Sequence, residues 1–179
     1  VGLMHTIILD TDIGSDVDDA LALATVLGSE SVNLLGITTV YGDTKLRARI
    51  AHHLCHIANK SIPVFAGVKT PLSGRQVWST GSEGKAFSNL NQYALEDRRA
   101  VEFLVEAVNQ NPGEIEVIAI GPLSNIATAI MQAPNFAKNV KHLWIMGGDF
   151  TKEKIEHNFK CDIDAAKIVL ESDISITIL

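Results

Sequence analysis

Five carboxylates crowd into ten residues near the start of the chain: Asp10, Asp12, Asp16, Asp18 and Asp19, within the run Ile7-Ile8-Leu9-Asp10-Thr11-Asp12-Ile13-Gly14-Ser15-Asp16-Val17-Asp18-Asp19-Ala20-Leu21. Charges of one sign at that density repel, and solvent, the positive end of a helix or a bound cation must relieve them. A cation gives the most complete relief. Every donor in the segment is a hard oxygen, with no His or Cys, which points to Ca2+ or Mg2+ over Zn2+. Helix capping alone would occupy one or two of the later acids and leave Asp10 and Asp12 without a role. An EF-hand does not fit, because such a loop needs Gly at its sixth position and Glu at its twelfth, where this chain has Ser15 and Leu21.

Three more apolar runs end in polar residues that one sheet would bring to the same rim: Tyr41-Gly42-Asp43, Ile120-Gly121-Pro122-Leu123-Ser124-Asn125 and Met146-Gly147-Gly148-Asp149. Glu156-His157-Asn158 follows, an acid and an amide of the kind that binds sugar hydroxyls, or else a solvated polar loop. Gly121-Pro122 ends its strand abruptly. The Ile120 carbonyl is then free of the ladder, and it serves either as a neutral oxygen ligand or as part of a plain turn before a helix.

The elements that must position these groups alternate along the chain. Thr6–Leu9, Val32–Thr39, Val64–Ala66, Ile115–Ile120, His142–Met146 and Ile174–Ile178 are short, nearly continuous apolar runs, the pattern of buried parallel strands. Between them, Asp18–Leu27, Thr44–Ala58, Asp97–Asn109, Leu123–Gln132 and Ala165–Leu170 carry helical periodicity. This predicts an α/β fold: an open, mainly parallel sheet with helices on both faces and right-handed crossovers. Ligands bind such sheets at the carboxyl ends of the strands, where the acids lie. Residues 70–91 break the rhythm with Gly74, Gly81, Gly84 and several Ser and Asn. They are expected to form a long loop, with a lid beside the site as one reading.

Residues 4–179 read as one α/β domain, and Val1-Gly2-Leu3 ahead of Met4 as a cloning remnant. Ile174 to Leu179 is a strand with nothing after it, so the fold is expected to continue beyond this chain. A net charge of −6 without a Lys/Arg run argues against a nucleic-acid partner. No apolar run reaches the length of a membrane span, and no secretory leader is visible. Cys55 and Cys161 belong to no CxxC pair or regular framework, which favours a reducing, cytoplasmic setting.

From Thr6 to Leu179 the chain resembles the inosine-uridine-preferring nucleoside hydrolases. Asp10, Asp12, Gly14, Asp18, Asp19 and Ala20 match that family's opening Asp-x-Asp-Pro-Gly-x-Asp-Asp-Ala motif. Ile37-Thr38-Thr39-Val40-Tyr41-Gly42, Gly121-Pro122-Leu123-Ser124-Asn125, Met146-Gly147-Gly148 and Glu156-His157-Asn158 match later segments in the same order. The resemblance implies calcium-dependent hydrolysis of the N-glycosidic bond of ribonucleosides, in purine or pyrimidine salvage. It makes Asp12 a calcium ligand and the general base, and Asp19 and the Ile120 carbonyl further calcium ligands. Asp18, Glu156 and Asn158 would hold ribose hydroxyls, and Met146 would lie against the sugar or base. Asp43, where many members have Asn, joins the substrate-binding candidates. An assembly of identical chains is left open.

There are departures from the pattern. Ile13 replaces the motif's proline, and two extra residues precede Asp18-Asp19, leaving the role of Asp16 open. Thr80 stands near where many members have a loop His. The family's later Asp ligand and neighbouring His fall beyond Leu179, so this chain alone is expected to bind calcium weakly and turn over little. Two other classes compete. Haloacid-dehalogenase-like Mg2+ phosphotransferases also begin with a strand ending in Asp-x-Asp, which would make Asp10 the nucleophile, Asp12 the general acid and Gly148-Asp149 part of a second acidic motif. A homologue that binds nucleoside or ribose without cleaving it is the third reading.

Overall fold

The computed structural model describes residues 3–151 and 153–179; Val1 and Gly2, two of the three residues read as a cloning remnant, lie outside the described residues. The apolar runs form strands β1 (His5–Thr11), β2 (Val32–Thr39), β3 (Val64–Ala66), β4 (Ile115–Ala119), β5 (His142–Ile145) and β6 (Ile176–Ile178). They make one sheet in the order β3-β2-β1-β4-β5-β6, and every neighbouring pair is parallel. Successive residues of β1 serve opposite faces. Ile8 packs into a core with helices α3 (Ala100–Gln110), α4 (Ser124–Gln132) and α7 (Ile163–Leu170), while Leu9 packs into a second core with α1 (Asp18–Gly28) and α2 (Thr44–Ile57). Both faces of the sheet are thus covered, which is why its strands lack polar alternation.

The chain winds outward from β1 through β2 to β3, then returns to lay β4 on the other side of β1. Strand order therefore reverses between β1 and β4, and a crevice opens at their carboxyl ends. The register pairs Asp10 with Ala119, and the Ile120 amide donates to the Asp10 carbonyl at 2.9 Å. The first acids of the cluster and the Gly121-Pro122 turn consequently stand side by side.

Element boundaries differ from the sequence reading where local chemistry intervenes. Helix α3 begins at Ala100, three residues after Asp97, with the Glu102 carboxylate accepting from the Arg99 amide before it (3.4 Å). The last strand begins at Ile176, not Ile174. Helices α5 (Phe136–Asn139) and α6 (His157–Cys161) are too short to show a period and were not anticipated. The long segment after β3 holds only a 3-10 turn, Leu90–Gln92. It is tied down by backbone amides of Leu72 and Ser73 donating to Asp162 and by Tyr93 Oη paired with His53 Nδ1 at 2.9 Å. Among the described residues no helix is long and apolar enough to cross a membrane.

Candidate active site

The acids at the end of β1 divide by depth. Asp10 has no exposed surface; its Oδ1 accepts from Thr38 Oγ1 of β2 (2.6 Å) and from Asn125 Nδ2 of α4 (2.7 Å). Burial pushes its carboxyl up to about 7 against those two hydrogen bonds. Asn125 also donates to the Thr39 carbonyl and accepts from the Val68 amide, so Asp10 belongs to a brace joining two strands, a helix and a loop. A sealed carboxylate cannot attack phosphorus, which removes the phosphotransferase reading.

Asp12 and Asp19 form the next layer. Thr11 Oγ1 donates to Asp19 and accepts from the Ile13 amide (3.0 Å), pinning the strand end to the first turn of α1. The Asp12 and Asp19 carboxyls are close enough for each to shift the other's ionisation. Burial, then the neighbouring Asp12 charge, push Asp19 up to about 8. Burial raises Asp12 as well, opposed by the positive charge of Arg47. Two acids that resist ionising side by side are relieved by a shared proton or by a cation.

Asp16 and Asp18 make an outer pair whose carboxyls act on one another. The interaction with Asp18, then burial, push Asp16 up to about 6, while Asp18 is lowered, first by its interaction with Asp16. Asp18 Oδ1 accepts from the Asp19 amide at 2.9 Å. The residue preceding α1 is Val17, whose side chain makes no cap, so first-turn helix chemistry engages Asp18 and leaves Asp10, Asp12 and Asp16 unexplained.

On the facing loops, Glu156 is the N-cap of α6. Its Oε1 accepts from the Asn158 amide (2.7 Å) and its Oε2 from the Phe159 (3.0 Å) and Gly148 (3.2 Å) amides. Asn158 is buried, and its Nδ2 donates to the carbonyls of Ile120 (3.1 Å) and Met146 (3.2 Å). The Ile120 carbonyl is thus outside the ladder, as Gly121-Pro122 predicts, and its partner is an amide side chain. Gly121 is needed for close approach: a Cβ there would lie 2.8 Å from Asp12 Oδ1.

Asp12, Asp18, Asp19, Ile120, Met146, Glu156 and Asn158 all line one cavity of about 180 Å3, and Asp16 joins them. Asp43 is not brought there; its carboxylate caps α2, accepting from the Leu46 amide at 3.0 Å. Thr80 also lies outside the lining, bonded within its own turn to Ser82 and Glu83. Two lining residues, Arg47 and Trp78, lie in none of the motifs read from sequence, and Ser15, Tyr41 and His157 lie in those motifs without a role of their own. Trp78 comes from the loop read as a lid; its amide donates to Tyr41 Oη (2.7 Å) and its ring meets His157 edge-on at 5.2 Å. Its position in a glycine-rich break was the only signal available.

As a cation site, Asp12 and Asp19 with the Ile120 carbonyl offer hard oxygens suited to Ca2+ or Mg2+. Among the described residues no group of three or more His, Cys, Asp or Glu side chains gathers to hold a metal ion. The donor set fits such an ion in kind and falls short of its usual six to eight oxygens in number, so water, substrate hydroxyls or other ligands must supply the remainder.

Comparison with known proteins decides the family. Residues 7–179 match the family model described as inosine-uridine preferring nucleoside hydrolase. This chain belongs to that family. It is 33% identical to the probable uridine nucleosidase 1 of Oryza sativa subsp. japonica over 97% of this chain and 57% of the rice protein. It is 31% identical to the pyrimidine-specific ribonucleoside hydrolase RihB of Escherichia coli, over 97% of this chain and 58% of that protein. Among solved structures, the plant nucleoside hydrolase PpNRh1 superposes with a TM-score of 0.87 at 31% identity, covering 98% of this chain and 59% of that one. An inosine-guanosine nucleoside hydrolase shares the fold at a TM-score of 0.84 and 22% identity. The chain spans under three fifths of the length of these curated relatives, and the nucleoside hydrolase fold expected from its motifs is present over that span.

Proposed function

We propose that this chain carries the ribose-holding and water-activating part of a calcium-dependent N-ribosyl hydrolase, which cleaves ribonucleosides to base and ribose. The observation that carries the proposal is the Asp12–Asp19 pair opening onto the same cavity as Glu156 and Asn158. At about 180 Å3 the cavity is smaller than the roughly 300–1,000 Å3 of pockets enclosing whole drug-sized ligands, a size suited to the sugar with the base leaving outward.

Glycosidic cleavage builds positive charge on the sugar, and a wall of carboxylates stabilises it. Asp12, packed closely against Gly121 on one side and beside Asp19 on another, takes the proton from the attacking water. Asp18 accepts from a ribose hydroxyl. Asn158 has its Nδ2 committed to two carbonyls, which leaves its amide oxygen to accept from another hydroxyl. Glu156, fixed by three backbone amides, holds a negative charge in place beside it. A Ca2+ ion held by Asp12, Asp19 and the Ile120 carbonyl would supply positive charge that orients the water and makes it more acidic.

The test is release of nitrophenol from p-nitrophenyl riboside against p-nitrophenyl phosphate, with Ca2+ present, followed by uridine, for which the rice relative is named. Slow cleavage of the riboside and none of the phosphate is expected, the riboside rate falling to background in Asp12→Asn. Phosphatase activity, or an Asp12→Asn variant that keeps full activity, overturns the proposal. Ribose binding without turnover would mark a non-catalytic homologue.

A further inference from the structure

Helix α2 begins Thr44-Lys45-Leu46-Arg47, and an arginine in a first turn ordinarily extends into solvent. Arg47 is instead only 3% exposed. Its Nε donates to the Tyr41 carbonyl (2.7 Å), and its Nη1 donates to the carbonyls of Asp12 and Ile13 (3.0 Å) and to Ser15 Oγ (3.1 Å). The guanidinium passes between two glycines: a Cβ would come within 4.0 Å of Nη1 at Gly14 and within 3.8 Å of Nη2 at Gly42. Gly14 itself has φ +115, a conformation that side chains strongly disfavour, and a Cβ there would also strike Ile50.

Among the described residues Arg47 makes no ion pair with a carboxylate. A buried cation bonded only to neutral oxygens is a poor device for stability alone, because a well-packed apolar side chain would avoid its desolvation cost. What the guanidinium does hold is the segment between β1 and α1. Apart from Arg47, the Asp12–Ser15 stretch is anchored chiefly by the Ile13 amide on Thr11 Oγ1. The same side chain also grips Tyr41, whose φ of 72 is unusual for a non-glycine residue and whose hydroxyl receives the Trp78 amide. Both rims of the cavity therefore meet on one guanidinium.

We infer that Arg47 is the positioning residue of the acid loop: it sets where Asp12 stands relative to Asp19 and holds Tyr41 against the same cavity. Its consequence for catalysis rests on the proposed roles of Asp12 and Asp19. Only a planar fork with several donors spans these four acceptors, so lysine, with one compact ammonium, substitutes in part.

The experiment compares Arg47→Met, Arg47→Lys and Arg47→Ala with the wild-type chain by amide hydrogen exchange and by calorimetric Ca2+ titration, below each variant's melting temperature. Arg47→Met is expected to speed exchange of the 12–17 amides at least about ten-fold while strands β1, β2 and β4 keep their protection, and to weaken Ca2+ binding by at least about the same factor. Arg47→Lys falls between the two, and methylguanidinium added to Arg47→Ala restores part of the loss. Unchanged exchange at 12–17 in folded Arg47→Met, or loosening spread evenly over the chain, overturns the inference. If Arg47→Met does not fold, Arg47→Lys and the methylguanidinium response of Arg47→Ala decide it on the same readouts. Failure of the wild-type chain to bind Ca2+ would refute the cation reading, and the exchange rates would still decide the role of Arg47.

Discussion

Glu116 offers a sharp test of what holds the strands that carry the site in register. It lies on β4, only 5% exposed, at the end of the sheet remote from the acids. Its carboxylate accepts from His5 Nδ1 of β1 (2.8 Å), from Lys141 Nζ just before β5 (3.0 Å) and from Trp144 Nε1 of β5 (2.8 Å). Burial alone would raise its pKa, but these three donors outweigh it and hold the carboxyl at about 2, against an ordinary 4.5. Folding thus favours the charged form, so the stabilisation is complete above pH 4.5 and is lost as pH falls through 2. At about 1.4 kcal/mol per unit the shift corresponds to roughly 3 kcal/mol, reduced to about 2 because His5 and Lys141 are themselves partly exposed. Glu116→Gln is therefore expected to cost about 2 kcal/mol at pH 7, less than half of that at pH 3, and almost nothing at pH 2, measured by urea unfolding at each pH. A penalty that is the same at pH 7 and pH 3 would refute the charge-based account and leave only packing.

Asn125→Ala strips partners from Asp10 Oδ1, the Thr39 carbonyl and the Val68 amide at a fully buried site, and should lower stability by about 3–5 kcal/mol in urea unfolding. A loss under about 1 kcal/mol would show that Asp10 is not braced as described. Gly121→Ala forces a methyl to within 2.8 Å of Asp12 Oδ1 and 3.0 Å of its amide; riboside cleavage should fall at least about ten-fold while the melting temperature moves little, and wild-type rates in the variant would disconnect that close approach from catalysis.

The sheet was legible because parallel strands buried on both faces are continuous apolar runs, and six such runs separated by helical periods leave few alternatives. The acid cluster was legible for a related reason: charge at the end of a buried strand has no structural excuse. What sequence could not sort was depth. Asp10 and Asp12 are two residues apart at the end of β1, yet the first is consumed by Thr38 and Asn125 while the second meets the cavity, because Gly121 in the turn after β4 leaves room there and Asn125 fills the space behind. Asp43 showed the converse limit, since an acid just before a helix serves as well for a cap as for a substrate. Arg47 could not have been found by pattern, as its burial comes from backbone carbonyls of the acid loop more than thirty residues before it in the chain.

These placements explain why so many acids can coexist. The five carboxylates do not share one environment: depth pushes Asp10 toward its neutral form against two hydrogen bonds, Asp16 and Asp18 lean on one another near solvent, and a half-buried Asp12 stands beside a buried Asp19. The repulsion inferred from sequence is therefore concentrated on a single pair. That pair shares its cavity with Ile120, and Arg47 holds the loop beside it without neutralising either acid by direct pairing. An ion pair between Arg47 and Asp12 would have satisfied the charge and abolished the site. A guanidinium bound to backbone carbonyls holds the loop in place and leaves the carboxylates unpaired with it, as the proposed cation and ribose roles require.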